Sequence, residues 1–249
     1  MLTSVRGGRL VEMWLQTADW KQTDAVLSAQ LQKPAAEMSW RDGIVLDLAM
    51  DLADHYVAAK DDEAAVRLTR RVAAIRTERG LMDPAFLNRY YSILHGAAIR
   101  KKSPAALVEM YEEVVPVHAV TLGTDHRITL LRQMWLANAL VDSGRAGEAL
   151  EKIGEFHAQN EEGKQPDLPW RITEGRALIA LDRFDEAQTI LERAWQECLD
   201  LGYESPKADV ATKQSAHRTA SSLVTLSERT GRTEERLEWL RIRENISRP

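Results

Sequence analysis

The chain has 249 residues, 44 % of them hydrophobic and 29 % charged, which is enough apolar material for a sizeable core and excludes a disordered chain. Its 33 Lys and Arg against 38 Asp and Glu leave a net charge of −5, so there is no positive field to gather a nucleic-acid backbone. The single cysteine, Cys198, cannot close an internal disulfide.

In chain order, one unit recurs: an apolar helix, a short polar turn, and an Ala-rich restart. Residues 10–25 are compatible with a first copy turning at Ala18, residues 52–65 with a second turning at Lys60, and residues 93–107 with a third turning at Lys102. The fourth copy is the clearest, with Gly144-Arg145 at the turn and Glu148-Ala149 opening the second helix. The fifth repeats it at Asp182-Arg183 and Glu186-Ala187. The last turns at Gly231-Arg232 and has Arg236 where the others have the small Ala149 and Ala187. The steps between turns are 42, 42, 42, 38 and 49 residues.

Such a period is the signature of stacked repeats, because each hairpin leaves an apolar face that only its neighbour can cover. Strand-type alternation and hairpin turns flanked by it are missing, and Ala, Leu, Glu and Arg dominate. The expected fold is therefore all-α: a right-handed α-solenoid of about six hairpins, forming a single domain over residues 1–249. Between copies, Pro34, Pro84, Pro169 and Pro206 mark connectors where one helix stops and the next begins.

The junction from Leu122-Gly123 through Asp125-His126 to Thr129-Leu130 resembles the inter-repeat junction of kinesin-light-chain-type tetratricopeptide repeats. The resemblance covers roughly residues 40–245. It implies a superhelix whose concave groove, lined by the first helix of every hairpin, binds a protein or peptide. In bacteria such arrays resemble sensor regions that accompany kinases or transcriptional effectors, so a ligand- or signal-peptide-sensing regulatory domain is the alternative. No phosphate-binding loop or kinase signature is present in this chain.

Chemistry-bearing patterns are weak. The six histidines never fall at helical His-x-x-x-His spacing, and the best metal pair, Asp51 with His55 near Asp47 and Asp54, reads as a solvated acidic helix face. No nucleophile elbow surrounds Ser92, Ser143 or Ser221. The chain is expected to be no enzyme and to hold no metal or cofactor. His126 follows Asp125 at a helix start, where the aspartate can cap backbone N–H groups. Cys198 lies on an apolar stripe with Leu191 and Ala194, so burial is expected. With no leader-like start and no run approaching about 20 apolar residues, a cytoplasmic protein without membrane contact is expected.

The register implied by the resemblance puts Leu131, Met134, Trp135, Asn138 and Asp142 of the fourth copy on the groove, with Ile172, Thr173, Arg176 and Ile179 of the fifth. Asn138, Arg176 and Trp135 form the expected peptide anchor, with Met134, Asp142 and Thr173 beside them. Asp47, Asp51 and Asp54 in the second copy favour a basic or mixed peptide. At the C-terminus, an apolar stripe of Leu237, Trp239, Leu240 and Ile242 is expected to be partly uncovered and to support self-association.

Overall fold

The computed structural model describes residues 20–32, 34, 42–159, 168–205 and 207–247. Among them lie eleven α-helices and no strand. They are α1 (Trp20–Leu31), α2 (Asp42–Ala58), α3 (Asp62–Glu78), α4 (Pro84–Arg100), α5 (Pro104–Leu122), α6 (Arg127–Asp142), α7 (Ala146–Gln159), α8 (Leu168–Ala180), α9 (Phe184–Asp200), α10 (Val210–Arg229) and α11 (Thr233–Ser247). The expected first turn, at Ala18, lies outside the described residues.

Four of the other expected turns, at Lys60, Gly144, Asp182 and Gly231, are hairpin tips, and these and the turn at Lys102 hold their turn residue in the left-handed region. The φ angles are 62° at Lys60, 51° at Lys102, 81° at Gly144, 58° at Asp182 and 72° at Gly231. The cause is a shared helix stop. At the α2–α3 tip, Lys60 N donates to Val57 O at 3.1 Å and Asp61 N to Tyr56 O at 2.9 Å. The same pair of reversed bonds recurs at Gly144-Arg145, Asp182-Arg183 and Gly231-Arg232. This arrangement satisfies carbonyls that the helix end would otherwise orphan.

The residue after the left-handed one also caps the next helix, so the tip needs only three residues. Asp61 does so with its carboxylate, which accepts from Ala64 N at 3.1 Å. Arg145, Arg183 and Arg232 have no such acceptor, and instead pair with Glu148, Glu186 and Glu235 in the first turn beyond. The recurring Arg and Glu of the sequence motif are this pair. Four residues beyond the tip arginine, Ala149 and Ala187 are fully buried and let the returning helix approach its partner. Arg236, in the same place in α11, is half-buried.

By its contacts the chain forms two compact units, Met1–Ala106 with Val120–Gly123, and Leu107–Ala119 with Thr124–Pro249. In the first, α1 packs on α2, α2 pairs with α3, and α3 leads to α4. Its core is built from Leu46, Met50 and Tyr56 of α2, Leu68 and Val72 of α3, and Leu87 of α4. In the second, α6 pairs with α7, α8 with α9 and α10 with α11, while α6, α8 and α10 also touch in succession.

The second unit's core runs in layers. Phe156 of α7 stacks on Trp170 of α8 with ring centres 4.1 Å apart. Ala187 and Leu191 of α9 meet Leu178 of α8 and Leu223 of α10. A Cβ on Gly175 would lie 2.6 Å from Leu191 Cγ, so the glycine is what allows α8 and α9 to close. Cys198 joins Leu168, Ile172 and Ala216 in the next layer, buried as its stripe implied.

Candidate functional site

Along α6, Leu131, Trp135, Asn138 and Asp142 recur at three- and four-residue intervals and so share one stripe. Leu131 is 41 % exposed, as is the preceding Ile128 at 39 %, while Trp135 is half-buried and Asp142 exposed. One hairpin on, α8 sends Arg176 back across this stripe. Its Nη1 donates to Asn138 Oδ1 at 2.8 Å, and its Nη2 pairs with Asp142.

Asn138 is only 7 % exposed, and its Nδ2 donates to Met134 O at 3.1 Å. Both functions of its amide are thus engaged within the protein. Met134 and Thr173 are 5 % and 1 % exposed. Met134 packs with Ile153, Phe156 and Trp170, and the Thr173 hydroxyl donates to Pro169 O at 2.8 Å. Ile172 and Ile179 are buried too. The residues expected to line a groove therefore divide. Trp135, Asp142, Arg176 and Leu131 reach the surface, while Met134, Thr173 and most of Asn138 form the layer beneath.

Sequence reasoning missed the residue that completes this face. Arg218 of α10 is exposed, and its guanidinium lies 5.1 Å from the centre of the Trp135 ring. No acidic partner is found for it among the described residues. A lone arginine in a polar helix carries no sequence signal, since its partner lies more than eighty residues away along the chain.

The other arginines reaching between first helices are neutralised. Arg89 of α4 binds Asp51 and Asp54 of α2, each at 2.6 Å, and Arg76 binds Asp47 at 2.6 Å. The three aspartates expected to attract a basic or mixed peptide are thus held by arginines of α3 and α4. In the second unit, Arg229 of α10 pairs with Asp182 and lies 5.8 Å over the Phe184 ring.

The metal pair is likewise engaged through Asp51, and no group of three or more His, Cys, Asp or Glu among the described residues could hold an ion. At the junction, His126 itself is the helix cap: its Nδ1 accepts from Ile128 N at 3.2 Å, the role sequence had assigned to Asp125. No described helix is long and apolar enough to cross a membrane. In α11, Leu237 is 50 % exposed, but Trp239 meets Trp195 edge-on at 5.1 Å and Leu240 and Ile242 are half-buried, so the uncovered stripe is narrower than expected.

Two-helix units joined by a three-residue tip, with successive first helices in contact, define a tetratricopeptide-type repeat protein. BtubC (BKLC) from P. vanneervenii has this fold: it is 18 % identical, the match covers 92 % of this chain and 91 % of that one, and the TM-score is 0.56. The nearly identical TPR-like repeats of a kinesin-light-chain-type protein from Podosopora anserina match over 76 % of this chain and 92 % of theirs, at 24 % identity and a TM-score of 0.46. No protein-family model matches the sequence, and no curated protein is similar to it.

Proposed function

We propose that the chain is a peptide- or protein-binding scaffold whose contact surface is the face carried by α6, α8 and α10, centred on Trp135 and Arg218 and bordered by Arg176 and Asp142. The observation that carries this reading is the Arg218 guanidinium, exposed over an indole ring and without an acidic partner among the described residues. An aromatic surface beside an unspent cation is what an interface uses to hold a peptide carboxylate, while Ile128 and Leu131 offer exposed apolar contact next to it. Asn138, Met134 and Thr173 act below this surface, fixing Arg176 and the α6–α8 spacing. Nothing in the arrangement brings a nucleophile and base together, so the reading is of a binding protein and not an enzyme. Self-association through α11 is part of the proposal only at Leu237.

Selection of peptides from a displayed random library on the immobilised protein tests it. Enriched peptides should carry an acidic residue or a free C-terminus. Titrated against variants, they should bind Arg218→Ala about tenfold more weakly, the loss expected of one charge-assisted contact, and bind Lys152→Ala unchanged. Equal affinity for both variants would remove this face from the site.

A further inference from the structure

Glu174 stands two residues before Arg176, and therefore on the other side of α8 from the Arg218 face. Eight residues before the successive turn residues the chain has Leu10, Leu52, Leu94, Leu136, Glu174 and Leu223. Of these leucines, Leu52, Leu94, Leu136 and Leu223 are 0, 2, 6 and 3 % exposed. In the fifth copy a carboxylate occupies the place of a core leucine.

The surroundings differ to match. Glu174 forms the floor of an open groove of about 400 Å³ between α7 and α9, walled by Leu150, Leu178 and Ile190. Its carboxyl is half-buried and receives no hydrogen bond or ion pair from any described residue. His157 Nε2, lining the same groove, is occluded and has no hydrogen-bond partner among the described residues. Arg183 at the rim turns its Nε and Nη2 to Glu186, at 2.7 and 2.6 Å, and gives no hydrogen bond to Glu174. A desolvated carboxylate without a partner costs stability, and burial accordingly pushes the Glu174 carboxyl above its ordinary pKa. What Glu174 lacks is a cation within hydrogen-bond reach.

We propose that the groove between α7 and α9 receives a lysine or arginine side chain of a partner polypeptide, its aliphatic stem along Leu150 and Ile190 and its charged head on Glu174. The chemistry is complementary on both counts: apolar walls suit the stem, and a carboxylate without an internal donor suits an ammonium or guanidinium. A metal ion fits less well, because no group of three or more His, Cys, Asp or Glu comes together among the described residues. The site is independent of the Arg218 face, and either can fail alone.

The test is a titration of the full chain, followed by amide correlation spectra, with an acetyl-Ala-Ala-Lys-Ala-Ala-amide peptide at low salt and mildly alkaline pH. Saturable shifts are expected at Gly154, Glu174 and Ile190. The same peptide with an acetylated lysine should leave them unmoved. Glu174→Gln, which keeps the shape, should weaken binding at least about tenfold. Glu174→Leu, which restores the residue of the other copies, should abolish binding while raising the melting temperature, so that lost binding is not lost folding. No saturable shift at these amides, an equal response to the acetylated peptide, or undiminished binding by Glu174→Gln would overturn the proposal.

Discussion

Asn138 Oδ1 accepts a hydrogen bond from Arg176 Nη1 at 2.8 Å, tying α6 to α8 across two successive repeats. The asparagine is buried, and its other amide function is spent on Met134 O, so the bond is shielded from water on one side. Arg176 reaches Asp142 with its second nitrogen, but there at the surface.

The two contacts should therefore differ in worth. Asn138→Ala is expected to destabilise the fold by about 1–2 kcal/mol, and a double-mutant cycle with Arg176→Ala should return most of it as coupling. The Asp142–Arg176 cycle should give less than about 1 kcal/mol and shrink in high salt, as exposed pairs do. Urea denaturation of the parent, the three single variants and the two double variants at two ionic strengths measures both. A larger, salt-resistant coupling for Asp142 would reverse the assignment.

Lys60 and Lys102 hold left-handed backbone without being glycine, at φ 62° and 51°. A side chain in that region costs about 1–2 kcal/mol, which glycine does not incur. Lys60→Gly and Lys102→Gly should each raise the melting temperature by a few degrees, and the gains should add because the two turns join different helices. Asp182→Gly should gain less, since aspartate tolerates this conformation better. In the opposite direction, Gly144→Ala should lower stability by about 1 kcal/mol or more. Differential scanning calorimetry would contradict this account if the lysine variants melted lower than the parent.

The architecture was legible because the turn residue is periodic and its chemistry is local. Gly144 and Gly231 announce a helix stop, and the Arg-Glu pair behind them is three residues apart, within one turn of helix. The anchor was legible only as a stripe. Sequence placed Trp135, Asn138 and Asp142 together, but how deep each sits depends on α8, and that put Met134 and Thr173 under the surface. Arg218 and the Arg89 bridges were not legible, since long-range charge pairs leave no spacing in one chain. Glu174 was legible and went unread: aligned on the turns, it is the one break in a column of leucines.

Cys198 is fully buried, and burial pushes its thiol up to about 11, with only a weak 3.9 Å contact to the Thr219 hydroxyl. Thiolate is therefore scarce at neutral pH and no reagent can reach it. Alkylation by iodoacetamide should be negligible in the folded protein and rapid in urea. Intact-mass measurement of the native protein would count against the buried assignment if it showed full modification within minutes.

Glu174 also predicts how stability follows pH. Burial raises its folded-state pKa above the ordinary value of 4.5. As pH rises, the unfolded chain releases this proton first, so between the two pKa values the folded state binds more protons and stability falls with pH. The contribution of the protonated carboxyl is complete below 4.5 and is lost as pH passes through the raised folded value. Glu174→Gln removes this ionisation while keeping size and shape. Its melting temperature should lie close to that of the parent at the acid end, then exceed it by a widening margin as pH climbs towards neutrality, the rest of the titration being common to both. Thermal scans of the two proteins across that range decide the matter. A constant difference, or a parent that gains on the variant with rising pH, would show that Glu174 is ionised against a partner and not against an apolar wall.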